Sequence, residues 1–147
     1  MSNINKPVHT HTHTYTHTDS NLARLPAPDR RDGGQDIPIF TKLYEFYKTL
    51  SSIIPSFPKT KRYTLGQKLD NTTLDILEFL FAIPLSSNKL IILQKISVKV
   101  DLLKILIRLS KDTQIINNKD CLELETKLSE IGKMLGGWIR ASKQNTT

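Results

Sequence analysis

The sequence predicts an all-α fold: an antiparallel, up-down-up-down four-helix bundle preceded by a disordered N-terminal extension. Three observations carry this. Apolar residues recur at alternating steps of three and four through four successive segments. The links between those segments are short and rich in Pro, Ser and Asn, which sets neighbouring helices antiparallel. Leu, Ile and Lys dominate the second half and aromatics are only 7%, poor material for a β-sandwich. With 147 residues, 38% of them apolar, the chain has enough for one core and not for two.

Residues 1–35 form the extension and linker, and residues 36–147 the bundle. HTHTHTYTHT, residues 9–18, alternates polar with polar, so neither side has anything to bury. His9, His11, His13 and His17 carry the donors to chelate a transition metal. With no second ligand set and no scaffold, no metal site is assigned to them. APDRRDGGQD follows as a Pro- and Gly-containing linker of mixed charge. Asp36 then serves as a helix cap and Pro38 suits a first turn. Phe40, Leu43, Tyr47, Leu50 and Ile54 make the inward stripe of the first helix, which Pro55 and Pro58 end. The second helix runs from about Lys59 to Ile83 with Leu65, Leu69, Ile76, Leu80 and Ile83 inward, and stops at Pro84 and Ser86–Ser87–Asn88. The third covers about Asn88 to Thr113 and turns Ile92, Ile96, Val100, Leu103 and Ile107 to the core. Asp120 is placed to cap the fourth, whose stripe is Leu124, Leu128, Ile131, Leu135 and Trp138.

The second and third helices carry more apolar surface than one core requires. At about 100° per residue, Leu74, Leu77 and Phe81 point away from Leu65, Leu69 and Ile76. Ile91, Val98, Leu102, Ile105 and Leu109 likewise form a stripe away from Ile96, Val100 and Leu103. An apolar patch left facing water marks an interface. Homo-oligomerisation through Leu74, Leu77, Phe81, Val98, Leu102, Ile105 and Leu109 is therefore expected, against the plainer reading of a wide single core.

Lys and Arg total 21 against 14 Asp and Glu, a formal charge of +7. Four basic and three acidic residues precede Asp36, so 17 against 11, a surplus of six, belongs to the bundle. Such a surplus suits RNA, DNA or another polyanion. Lys95 and Lys99 stand one turn apart on the third helix, as do Lys104, Arg108 and Lys111 on another edge. Like charges at this spacing repel by a few tenths of a kcal/mol, and a phosphate backbone would reward them through counterion release. Lys59, Lys61, Arg62 and Lys68 cluster at the start of the second helix, beside amides that favour anions. Few aromatics interleave with these charges, so base stacking of the RRM or OB kind is not expected. The plain reading of each run is a solvated helix face.

A non-enzymatic protein is expected, with no cofactor, metal or small-molecule substrate. No His follows His17, which removes Glu-x-x-His metal pairs and His-assisted nucleophiles from the bundle. Gly66 is isolated and no phosphate-binding glycine loop exists. Asp70 and Asp75 are too far apart around a helix to form an acid pair. Cys121, the single cysteine, reads as a small helix residue of a reducing compartment. No membrane partner is expected: the apolar runs near Ile76–Leu85 and Leu90–Leu93 are too short to span a bilayer. The N-terminus lacks an apolar signal core, so a cytoplasmic location is expected. Gly132 and Gly136, one turn apart in a continuing fourth helix, suggest close approach of another helix backbone.

Three motifs add a family resemblance. IPIFTKLY at 37–44, FPKTKRYTLGQKL at 57–69 and EIGKMLGGWI at 130–139 together resemble the four-helix-bundle family of two related groups. One is the accessory variability determinant of diversity-generating retroelements; the other comprises proteins encoded in intervening sequences of bacterial ribosomal RNA genes. The resemblance spans about Ile37 to Ser142, hence all four helices. It implies a barrel-like homopentamer with a basic surface that binds a reverse transcriptase and nucleic acid in mutagenic copying of a template repeat. Lys59, Arg62 and Lys68 in the second motif, with Lys133 and Arg140 near the last, are the matching basic positions. The His-rich extension has no counterpart in the family pattern. The expected function is that of a nucleic-acid-binding accessory protein partnering a reverse transcriptase. The competing reading is an oligomeric structural or protein-interaction bundle of the ribosomal-RNA intervening-sequence type, without that partner.

Overall fold

The computed structural model describes residues 36–145. The extension and its histidines, together with residues 146 and 147, lie outside that range. Four principal helices make up the described residues, which contain no strand. They are α1 (Asp36–Ile53), α2 (residues 59–82), α3 (Lys89–Asp112) and α4 (Asn118–Asn145). α2 is built of three consecutive pieces: an α-turn Lys59–Lys61, a π segment Arg62–Gly66 and an α-helix Gln67–Ala82.

The helix ends follow from local chemistry. Pro55 and Pro84 have no N–H to donate, and each sits in a short 3-10 turn, Ile54–Ser56 and Ile83–Leu85, where α1 and α2 finish. Asn88 caps α3, its Oδ1 accepting from the Ile91 N–H at 3.3 Å. Asn117 caps α4, its Oδ1 accepting from the Asp120 N–H at 2.7 Å. Asp120 is therefore not the cap. A capping side chain must stand just before the first turn to reach the free amides; Asp120 is already in that turn, where its carboxylate suits the positive end of the helix dipole. The expected Asp36 cap concerns a side chain outside the described ones. α3 ends in a Schellman motif: Gln114 N–H donates to Lys111 O at 2.9 Å and Ile115 N–H to Ser110 O at 2.8 Å. Gln114 takes φ 62° to close it, a left-handed conformation that glycine usually supplies.

α1 packs against α2 and α4, and α3 packs against the same two helices. The core they enclose includes Leu43, Phe46, Leu50, Leu69, Ile76, Ile96, Leu103, Leu128 and Ile131. The expected stripes of α3 and α4 are buried there, except that Leu93 takes the innermost place and Ile92 is half-buried. In α2, Leu69, Ile76 and Ile83 are buried, while Leu65 and Leu80 are half-buried against the core edge. The α1 stripe needs correction. Ile39, Phe46 and Ile53 are buried in place of Phe40, Tyr47 and Ile54, which are half-buried. Each pair of adjacent residues is apolar enough for either member to face inward. Packing turns the second member toward the α1–α2 seam, where burial and the nearby Asp70 carboxylate push the Tyr47 phenol up.

The π segment has a packing reason that the sequence did not disclose. Gly66 is buried, and a Cβ there would lie 3.2 Å from Ile54 Cγ2 and 3.4 Å from Phe57 Cδ2. Its bare backbone lets the end of α1 and the start of α2 close on each other. Arg62 Nε ties the same corner, donating to Phe57 O at 3.0 Å. Among the described residues no helix is long and apolar enough to cross a membrane.

Candidate assembly faces and cation clusters

The apolar surplus of α2 and α3 stays outside the core. Leu74, Phe81, Ile91, Val98, Ile105 and Leu109 are exposed, Val98 to 67% and Ile105 to 65%. Leu77 and Leu102 are half-buried, with Leu77 packed against the core edge. These residues divide between two separate faces. On α2, Leu74 and Phe81 look out beside α1. There Phe81 meets Phe40 edge-on at 5.6 Å and Phe40 stacks with Tyr44 at 6.4 Å. Tyr44 is itself exposed. On α3, Ile91, Val98, Ile105 and Leu109 occupy the side away from the core, as the 100° step requires. The α2–α3 seam runs between the two faces and is held by Lys99 Nζ donating to Asp75 Oδ2 at 3.2 Å.

The basic residues of α3 are less free than their spacing suggested. Besides Lys99, Lys104 Nζ stands 3.7 Å from Asp101 Oδ1. The Arg108 guanidinium donates to Glu125 Oε2 of α4 at 3.0 Å. Lys95 and Lys111 are exposed and have no ion pair among the described residues. The α3 cations thus divide into two braces between helices, Lys99 and Arg108, one pair within α3, Lys104 with Asp101, and charges open to solvent.

Between α3 and α4 lies a shallow groove of about 510 Å³, floored by Ile105 and Leu109 and edged by Lys104, Arg108, Asp112, Glu125 and Ser129. Glu125 is its hub. It accepts from Arg108 and, at 3.3 Å, from the buried Cys121 thiol. Arg108 and then Cys121 hold the Glu125 carboxyl below the ordinary carboxylate range. Burial, with Glu125 beside it, pushes the Cys121 thiol up, opposite to what a reactive thiolate needs. A carboxyl depressed in the folded state stabilises the fold above its unfolded pKa, and that stability is lost as pH falls through the folded pKa. Glu125→Gln is expected to lower the urea midpoint at neutral pH, with the gap to the native protein closing below about pH 4. The effect is small, since both partners are partly exposed and screened. A gap that persists unchanged in acid would assign Glu125 a purely steric role.

At the start of α2, Lys59, Lys61, Arg62 and Lys68 are all exposed, and Tyr63 among them is exposed to 69%. No Asp or Glu occurs between Ile54 and Leu69. The sequence reading passed over Tyr63; the available signal was an aromatic inside a basic run free of acids. On α4, Lys133 and Arg140 are exposed. The expected approach of a helix backbone to Gly132 and Gly136 is not found among the described residues. A Cβ on Gly132 would meet Lys104 Nζ at 3.6 Å, and one on Gly136 would meet the Arg140 guanidinium at 3.6 Å. Side chains, Lys104 of α3 and Arg140 of α4 itself, lie over these glycines. Among the described residues no three His, Cys, Asp or Glu gather closely enough to hold a metal ion.

A family model described as bAvd-like matches residues 38–142, from the first turn of α1 to the last turns of α4. No curated protein matches the chain.

Proposed function

Because the chain belongs to the bAvd-like family, that of the bacterial accessory variability determinant, we propose that it is a non-enzymatic accessory protein of a diversity-generating retroelement. In this role it binds RNA or DNA and partners a reverse transcriptase. The family match across all four helices carries the reading. The bundle runs up, down, up and down. Two sets of contacts support this direction. Phe40 early in α1 meets Phe81 late in α2, while Ile54 beyond α1 meets Gly66 early in α2. Arg108 late in α3 pairs with Glu125 early in α4, while Lys104 lies over Gly132 further along.

The protein assembles as a closed ring. Two unlike apolar faces on one subunit suit head-to-tail contacts, in which the α1–α2 face of one copy meets the α3 face of the next; a rotation that closes gives a ring. Five subunits is the number the family resemblance implies. The surplus of positive charge on the bundle supports binding to a phosphate backbone.

Two triple-alanine variants test the nucleic-acid role: Lys59→Ala with Lys61→Ala and Lys68→Ala, and Lys104→Ala with Arg108→Ala and Lys111→Ala. Each cation that neutralises a phosphate contributes about 0.7–0.9 to the slope of log K against log salt. The first set is expected to flatten that slope by about two in anisotropy titrations. The second set is expected to flatten it less, because Lys104 and Arg108 already have carboxylate partners. Failure of the native protein to bind RNA or DNA at low salt would remove this reading. Such a result would favour the competing one, an assembly bundle without a reverse transcriptase partner, which the internal ion pairs of Lys99, Lys104 and Arg108 also favour.

A further inference from the structure

We propose that Tyr63 is a stacking platform for an unpaired nucleobase, with Lys59, Lys61 and Lys68 holding the phosphates to either side. The proposal rests on the nucleic-acid reading above and narrows the ligand from polyanions in general to single-stranded RNA or DNA.

Four observations meet at this point. Tyr63 is 69% exposed, and its ring has no aromatic or cation–π partner among the described residues. Within about one turn along the chain stand the exposed cations Lys59, Lys61, Arg62 and Lys68, and the first carboxylate after them is Asp70. The ring stands on a π segment, a geometry that recurs at functional sites. That segment is anchored from beneath by buried Gly66 against Ile54 and Phe57 and by the Arg62 bond to Phe57 O. A fixed backbone thus presents a free aromatic face inside a field of one sign.

Such a surface distinguishes strand state. Cations attract the backbone of any nucleic acid, but a tyrosine ring can stack only on a base whose face is uncovered, which a duplex does not offer. Tyr63 is also set apart from the α1–α2 apolar face. Eleven residues of helix, about 16 Å, separate it from Leu74, with exposed Gln67, Lys68 and Asn71 between.

The test uses the full chain and labelled oligonucleotides of about 12 nucleotides, within the usual range of single-strand site sizes. Oligo-dT, oligo-U and a duplex of equal length are titrated by anisotropy at low salt. Tyr63→Ala is expected to weaken single-strand binding by about five- to 150-fold, the range for loss of a stacking aromatic. Duplex binding stays within about two-fold, and Tyr63→Phe, which keeps the ring, retains native affinity. Single-strand affinity unchanged in Tyr63→Ala, or an equal loss on duplex, overturns the stacking assignment and leaves the nucleic-acid reading standing. A drop in oligomer mass by light scattering also overturns it, by placing Tyr63 in a subunit contact. A native protein that binds none of the three probes removes both readings together.

Discussion

Val98→Glu combined with Ile105→Glu is expected to turn the proposed ring into folded monomers. Both residues sit in the middle of the α3 outer stripe, two-thirds exposed in the single subunit. In the isolated subunit a glutamate at either place remains in water and disturbs nothing beneath it. In an assembly that covers the stripe, each carboxylate is stripped of water with no partner supplied, and an unpaired buried charge costs several kcal/mol. Two such charges in every copy cancel a large share of what a subunit contact of ordinary size retains as net binding energy. Light scattering after size exclusion should fall to the 16.8 kDa of one chain, while the helical circular dichroism is kept. Leu122→Glu is the control. Leu122 is as exposed as Val98 but lies on α4, so a mass matching the native protein shows that an added surface carboxylate does not by itself dissociate the subunits. A double variant that keeps its mass, or a native protein already monomeric at micromolar concentration, would rule out the ring.

Phe46→Ala is expected to destabilise the fold by about 3–5 kcal/mol, the usual loss for emptying a buried phenylalanine site. Phe46 has no exposed surface and lies in the α1 core between Leu43 and Leu50. Total stabilities of domains this size are about 5–15 kcal/mol, so the change removes a large share. With a urea dependence of about 1–3 kcal/mol per molar, the unfolding midpoint should drop by one molar or more. Leu85→Ala supplies the contrast. Leu85 is 89% exposed, and its replacement should stay within about 0.5 kcal/mol. Tyr47→Ala would tell the two α1 registers apart, because Tyr47 is only half-buried and should matter less than Phe46. If Tyr47→Ala were the more damaging, the α1 register described above would be wrong.

The α1 register shows where sequence patterning reaches its limit. In α4, apolar positions alternate with polar and charged ones, so only one face can be turned inward and the stripe was legible. In α1, Ile39–Phe40, Phe46–Tyr47 and Ile53–Ile54 are adjacent apolar pairs 100° apart, and hydropathy does not choose between the members of a pair. The neighbouring helices choose. Phe40, for one, is taken up by Phe81 at the edge of α2.

The same division applies to the candidate site. Covalent order alone revealed the four helices, their proline stops, an apolar surplus on α2 and α3, a basic bundle and the family motifs, because each is a pattern of neighbours a few residues apart. It could not reveal which cations remain open. Lys99 is matched by a carboxylate 24 residues earlier and Arg108 by one 17 residues later, and such partners meet only when helices are laid side by side. Nor could it reveal that the surplus divides into two faces separated by the Lys99–Asp75 seam, since the direction in which an outer stripe points depends on where the neighbouring helices stand. Periodicity says how much of a helix must be hidden; packing decides what hides it, and so which groups are left to meet another molecule.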